Sequence, residues 1–166
     1  MPTFQSNYNF LSGGKEKITI TYDSHLLNGD YEKLLSAALQ NDRRALYTTV
    51  GVHKDDLLFS INGVSLKKFG SQGQQKTFLI ALKLSQFSIT KEIKKTTPIL
   101  LLDDIFDKLD NKRVEYLMKM VGGDEFGQVF ITDTDIERVK RVLHNAQIDA
   151  RLFNVSDDSI IPLENE

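Results

Sequence analysis

The chain has 166 residues, 40% of them hydrophobic and 27% charged, which suits one folded globular domain of ordinary size. Lys and Arg total 21 against 23 Asp and Glu, a formal net charge of -2 that excludes a strongly basic nucleic-acid coat but permits a local basic patch. The absence of cysteine excludes disulfides and thiolate zinc sites.

Residues 1–14 carry Phe4, Tyr8 and Phe10 without a clear period and close on the turn signal Ser12-Gly13-Gly14. Met1–Ser6 shows no signal-peptide pattern, and no apolar run approaches the roughly 20 residues of a membrane-crossing helix. The expected location is the cytoplasm, with no membrane partner. Ile18 to Tyr22 alternates apolar and polar, which predicts a half-buried strand. Tyr31, Leu34, Leu35 and Ala38 predict a helix capped by Asp30. Tyr47 to Val50 and Leu57 to Ile61 read as strands, the second followed by the turn pair Asn62-Gly63.

Beyond residue 70 helix and strand alternate. Gln72 to about Phe87 predicts a helix with Phe78, Ala81, Leu82 and Leu84 as apolar set; Phe78 and Phe87 are core, not base-stacking platforms. Ile99 to Leu102 predicts a strand covered on both faces. Asp110 caps a helix with Val114, Leu117, Met118 and Val121 at i, i+3, i+4 and i+7, stopped by Gly122-Gly123. Val129 to Ile131 predicts a buried strand, Ile136 to Leu143 a helix and Leu152 to Val155 a last strand. From Ser156 the acidic tail is expected to fray. The alternation implies an α/β fold with a mostly parallel, helix-covered sheet.

Two segments could carry chemistry. The apolar run ending in Asp103-Asp104 would bring two carboxylates to the carboxyl end of a strand, where open parallel sheets bind ligands. Asp103 could hold Mg²⁺ and Asp104 could orient or deprotonate a water. Equally, one aspartate could cap the following turn and the other be solvated. Ser71-Gln72-Gly73-Gln74 fits a capping box, with free N–H groups, a hydroxyl and a glycine forming an anion cradle; such a box also occurs with no ligand. His53 and Lys54 beside Asp55 and Asp56 could contact nucleotide or DNA, or be an ordinary charged turn. His25 and His144 have no ligand-spaced partners. Lys67-Lys68, Lys91 with Lys94-Lys95, and Arg138, Lys140 and Arg141 read first as solvated faces.

Gly70-Ser71-Gln72-Gly73-Gln74, then an apolar strand ending Asp103-Asp104, then Asp107-Lys108-Leu109-Asp110 resembles the C-terminal half of an ABC/SMC-type P-loop ATPase head. Those segments correspond to its signature motif, Walker B strand and D-loop. Together with Thr48 to Leu57, close to the form Gly-Pro-His-Arg-Asp-Asp, they are similar to the RecF family over roughly residues 4 to 155. The resemblance implies that residues 1–50 end a second lobe and lead into the head, 51–155 form the C-terminal head part, and 156–166 form the acidic tail. It implies a weak ATPase that homodimerises around ATP and Mg²⁺, binds single- and double-stranded DNA, and works with RecO and RecR in recombinational gap repair and the SOS response. Ser71, Gln72, Gly73 and Gln74 would touch ATP in trans. Asp103 would hold the metal, Asp104 act on water, and Asp107 and Asp110 serve in the D-loop.

Two departures stand out. No Gly-x-x-x-x-Gly-Lys-[Ser/Thr] occurs: Gly14-Lys15 is followed by Glu16, with Asn9 where the first glycine belongs. The chain is therefore expected to be a fragment lacking Walker A, and inactive alone. Asp133-Thr134-Asp135 also stands at the switch-loop position, where such ATPases carry a histidine. A rival reading is a Mg²⁺-dependent, Toprim-like phosphohydrolase or nuclease using Asp133 and Asp135 with Asp103.

Overall fold

The computed structural model describes residues 2–163, which gather into two compact units: residues 2–14 with 76–163, and residues 15–75. No described helix is long and apolar enough to cross a membrane.

The smaller unit is built on an antiparallel sheet. Strand β1 (Ile18–Asp23) pairs with β2 (Asp56–Ile61) from Ile18 opposite Ile61 to Asp23 opposite Asp56. The Asn62-Gly63 turn, with φ of 50° and 80°, folds β3 (Val64–Ser65) back on β2, as a two-residue hairpin with both φ positive requires. Helix α2 (Tyr31–Ala45) starts at Asp30, whose side chain accepts from the Lys33 N–H. The strand expected at Tyr47 to Val50 is instead a loop. The Asp42 carboxylate takes both the N–H and the hydroxyl of Thr49, so this backbone is held by a side chain and not by a neighbouring strand. The short helix α3 (Leu66–Phe69) ends at Gly70, where an added Cβ would lie 2.5 Å from Leu66 Cδ1.

Helix α4 (Gln72–Lys94) begins in the smaller unit and continues through the larger. It outruns the expected end at Phe87, and in the added turns Lys91 Nζ reaches the Glu125 carbonyl. Its buried stripe is Thr77, Phe78, Ile80, Ala81, Leu84, Ser85 and Phe87; Leu82, expected in that set, lies on the outer side. Helix α1 (Pro2–Ser12) occupies the stretch where no period was read. Phe4, Tyr8 and Leu11 fall at i, i+4 and i+7 and are buried, with the rings of Phe4 and Tyr8 edge-on to Phe78 at 4.9 and 6.0 Å.

Parallel pairing is confined, among the described residues, to β4 (Leu100–Leu102) and β5 (Val129–Ile131). Helix α5 (Asn111–Val121) makes the crossover between them, burying Val114, Leu117, Met118 and Val121 as the spacing predicts. The expected two-sided cover is absent: Leu101 is 71% and Phe130 50% exposed, while Leu100 and Leu102 on the opposite face are buried. Helix α6 (Ile136–Ala146) follows. The tail expected to fray instead forms a hairpin of β6 (Leu152–Ser156) and β7 (Ser159–Leu163), because Ser159 to Leu163 pairs residue by residue with β6; the last three residues of the expected acidic tail lie outside the described residues.

Phe78 joins α4 to α1, so its truncation removes an aromatic cluster as well as buried area. Phe78→Ala should lower unfolding free energy by about 3–5 kcal/mol, read as a drop in urea midpoint; a loss below about 1 kcal/mol would show that α1 is not packed on this ring.

Candidate functional site

The acidic site forms where β4 and β5 end. Leu102 lies opposite Ile131, and the ladder continues for one more bond, Thr132 N–H to Leu102 C=O at 3.0 Å. Asp103 and Thr132 therefore leave the sheet side by side. The Thr132 hydroxyl donates to the Asp103 carboxylate and accepts from the Asp104 N–H at 3.3 Å. Asp104 takes a left-handed backbone, φ 45°, and its carbonyl accepts from Lys76 Nζ at 2.7 Å. Both aspartates are exposed at the carboxyl edge of a parallel pair, as expected from sequence.

From there the chain turns sharply. Ile105 and Phe106 are buried anchors, and Lys108 is again left-handed at φ 64°. Asp107 lies within ion-pair range of its neighbour Lys108, at 3.7 Å. Asp110 caps α5 by accepting from the Arg113 N–H at 2.9 Å, and its other oxygen is 3.2 Å from Arg113 Nε. Arg113 Nη1 donates to the buried Thr77 hydroxyl at 2.8 Å. Beside Asp103 runs a groove of about 440 Å³ between α4 and β4, apolar at its base, with Lys76 and Lys83 along its α4 side.

Asp133 and Asp135 do other work. Asp135 caps α6 by accepting from the Arg138 N–H. Asp133, whose side chain has no exposed surface, accepts two hydrogen bonds from Arg138 Nη2, at 2.6 and 2.8 Å, and one from the Asp135 N–H at 2.8 Å. Burial pushes its pKa up, but the Arg138 guanidinium and the N–H groups of Asp135 and Thr134 outweigh it, and the net shift is down. Both carboxylates are engaged in holding the β5–α6 turn, and among the described residues no cluster of three acids or histidines gathers around them.

In the smaller unit the capping box is realised. The Gln74 N–H donates to the Ser71 hydroxyl at 3.2 Å and the Ser71 N–H to Gln74 Oε1 at 2.9 Å. Gln74 Nε2 also donates to Glu16, and Gln75 Nε2 to the Gly70 carbonyl. Ser71 and Gln72 are exposed and Gly73 half-buried, and the Ser71 hydroxyl, which accepts from Gln74, still has its own proton to donate. His53 is drawn into its own loop: Nε2–H donates to the Thr48 carbonyl at 2.9 Å, and a Cβ on Gly51, at φ 138°, would meet its Nδ1 at 3.1 Å. Lys54 is exposed, with Nζ 4.6 Å above the Tyr47 ring. Asp55 accepts from Tyr22, and the hydroxyls of Ser24 and Tyr22 hold its carboxyl below the usual range.

Thr132, Lys76, Thr77 and Arg113 were not singled out from sequence. Only Thr132 had a local signal, as the first polar residue after an apolar run that parallels the one ending at Asp103.

Asp133 has a lowered folded pKa, so its contribution is complete above the unfolded carboxylate value near 4 and is lost as pH falls through the lower folded value. The stability gap between the parent and Asp133→Asn should be widest at neutral pH and close below about pH 4. Urea midpoints across that range measure it; a gap independent of pH contradicts the pairing with Arg138.

No protein-family model matches the chain. Curated proteins named DNA replication and repair protein RecF do. That of Phocaeicola vulgatus is 46% identical over 161 residues, spanning 96% of this chain and 43% of the relative. That of Bacteroides fragilis is 44% identical over 166 residues, 100% of this chain and 45% of the relative. Flavobacterium johnsoniae has one 45% identical over 155 residues. Two solved structures of the recombination mediator protein RecF in the RecFOR pathway, described as RecF-ATPrS and RecF-ATP, are 26% identical, with TM-scores of 0.64 and 0.62. Each match covers 98% of this chain and 44% or 45% of theirs. The chain thus spans less than half the length of the relatives it matches.

Proposed function

Starting from a chain that is RecF-like throughout and matches the C-terminal part of that protein, we propose that it supplies the signature and Walker B elements of an ATP site completed by a phosphate-binding loop on another part of a RecF-length protein. The observation that carries this reading is the side-by-side exit of Asp103 and Thr132 from parallel strands, with Asp104 held next to them.

Asp103 suits a hard cation. Its carboxylate is exposed and oriented by the Thr132 hydroxyl, and Mg²⁺ is commonly held by one or two carboxylates plus phosphate oxygens. When bound, Mg²⁺ would neutralise charge on the phosphates. Asp104 would orient the attacking water or take its proton. In the other unit, Ser71 keeps a hydroxyl proton to donate and the first N–H groups of α4 favour an anion, so Ser71, Gln72, Gly73 and Gln74 would hold the terminal phosphate of ATP bound to a second subunit. Asp107 and Asp110 would lie at that dimer interface, and Lys54 and His53 would be near nucleotide or DNA. With Asp133-Thr134-Asp135 at the switch-loop position, where ATPases of this class carry a histidine, Asp133 would act through Arg138, and neither aspartate could serve as an imidazole sensor. For the whole protein the reading includes single- and double-stranded DNA binding, homodimerisation on ATP, cooperation with RecO and RecR, and recombinational gap repair with the SOS response.

Alone, this chain should show no steady-state ATP hydrolysis. Replacing the C-terminal part of the Phocaeicola vulgatus relative with it should give a protein that hydrolyses ATP. There Asp104→Asn should slow turnover by about 100-fold or more with nucleotide binding changed less than about threefold. Turnover by the isolated chain, or full activity of Asp104→Asn, refutes the reading. Metal-dependent cleavage of DNA without ATP would favour the Toprim-like alternative.

A further inference from the structure

The acidic segment from Asp104 to Asp110 is gripped at both ends by adjacent residues of α4. At its start Lys76 Nζ donates to the Asp104 carbonyl at 2.7 Å, across the left-handed turn. At its end Arg113 bridges two groups: Nη1 donates to Thr77 Oγ1 and Nε lies 3.2 Å from Asp110. Thr77 is 1% exposed and the Arg113 side chain 15%, whereas Asp110 is 63% exposed. One end of the bridge is thus buried and the other opens to solvent. Between the two grips, the chain relies on the buried anchors Ile105 and Phe106 and on a 3.4 Å bond from the Leu109 N–H to the Phe106 carbonyl.

The bridge needs an arginine. A guanidinium carries separate donors in a fixed plane, so one head group can serve a hydroxyl and a carboxylate in different directions. A lysine would keep the charge but offers a single point. Removing the Thr77 hydroxyl would take away the acceptor that holds Arg113 Nη1 at the buried end of the bridge.

We propose that Thr77 and Arg113 are positioning residues for Asp110, and Lys76 for Asp104, so that α4 sets the geometry of the acid segment. This rests on the reading of Asp104 and Asp110 as acids of an ATP site. They touch no substrate themselves and act by holding those carboxylates where they are needed. Small misplacements of reacting groups carry large rate penalties while binding changes little.

The test has two parts. In this chain, Arg113→Lys and Thr77→Val should speed amide hydrogen exchange across residues 104–110 by about tenfold, with β4, β5 and the middle of α4 within about twofold; Thr77→Ser, which keeps the hydroxyl, should restore protection. Uniform acceleration, or none, overturns the grip. In the chimeric full-length protein the same two variants should lower kcat about tenfold at a KM for ATP within about twofold, and Thr77→Ser should recover kcat. Parent-like kcat in Arg113→Lys, or a change confined to KM, overturns the positioning role. A parent chimera without ATPase activity would count against the ATP reading itself, and the exchange experiment would still decide whether the grip exists.

Discussion

Because β4 runs parallel to β5 with Leu102 opposite Ile131, the residues that leave the two strands emerge at the same edge and level. An antiparallel pair would have sent Asp103 and Thr132 to opposite ends. Here one hydroxyl touches both aspartates, receiving the Asp104 N–H and donating to the Asp103 carboxylate. The crossover helix α5 follows from the same constraint, since parallel neighbours cannot be joined by a tight turn. Asp110, at the start of that crossover, is thereby brought back toward α4.

The larger unit organises its polar and apolar parts around α4. Phe78 packs on the aromatic cluster with α1, and the two positions before it, Lys76 and Thr77, bond to the acid segment and to the Arg113 that holds its end. Ile105 and Phe106 let that segment carry its carboxylates outward while its apolar side chains stay in the core. The bare side of β4 and β5, with Leu101 and Phe130, departs from this economy.

What could be read from sequence was whatever depends on near neighbours in the chain. The capping box at Ser71 and Gln74, the caps at Asp30 and Asp110, and the Asn62-Gly63 hairpin are three- or four-residue patterns, and all are formed. Helix α1 was hidden because Phe10, on the outer side against Tyr116, breaks the i, i+4, i+7 set of Phe4, Tyr8 and Leu11. Tyr47 to Val50 has strand-forming residues, but Asp42, seven positions before Thr49, claims the backbone first. Strand β7 was obscured by Pro162, which lacks a donor yet is tolerated opposite Phe153 in a two-stranded ribbon. The grip of Lys76, Thr77 and Arg113 joins residues 28 and 36 positions apart and leaves no local trace.

The left-handed backbone at Asp104 ties the identity of this acid to the shape of the chain beneath it. Among side chains other than glycine, aspartate and asparagine enter that region most readily, because a short polar group can bond to nearby main chain. A glutamate here would extend the carboxylate by one carbon but would sit less comfortably on such a turn. Reach and backbone comfort therefore trade against each other at a single residue. Lengthening this acid would set a longer side chain on a left-handed bend, a strain that Lys108 already bears within the same segment.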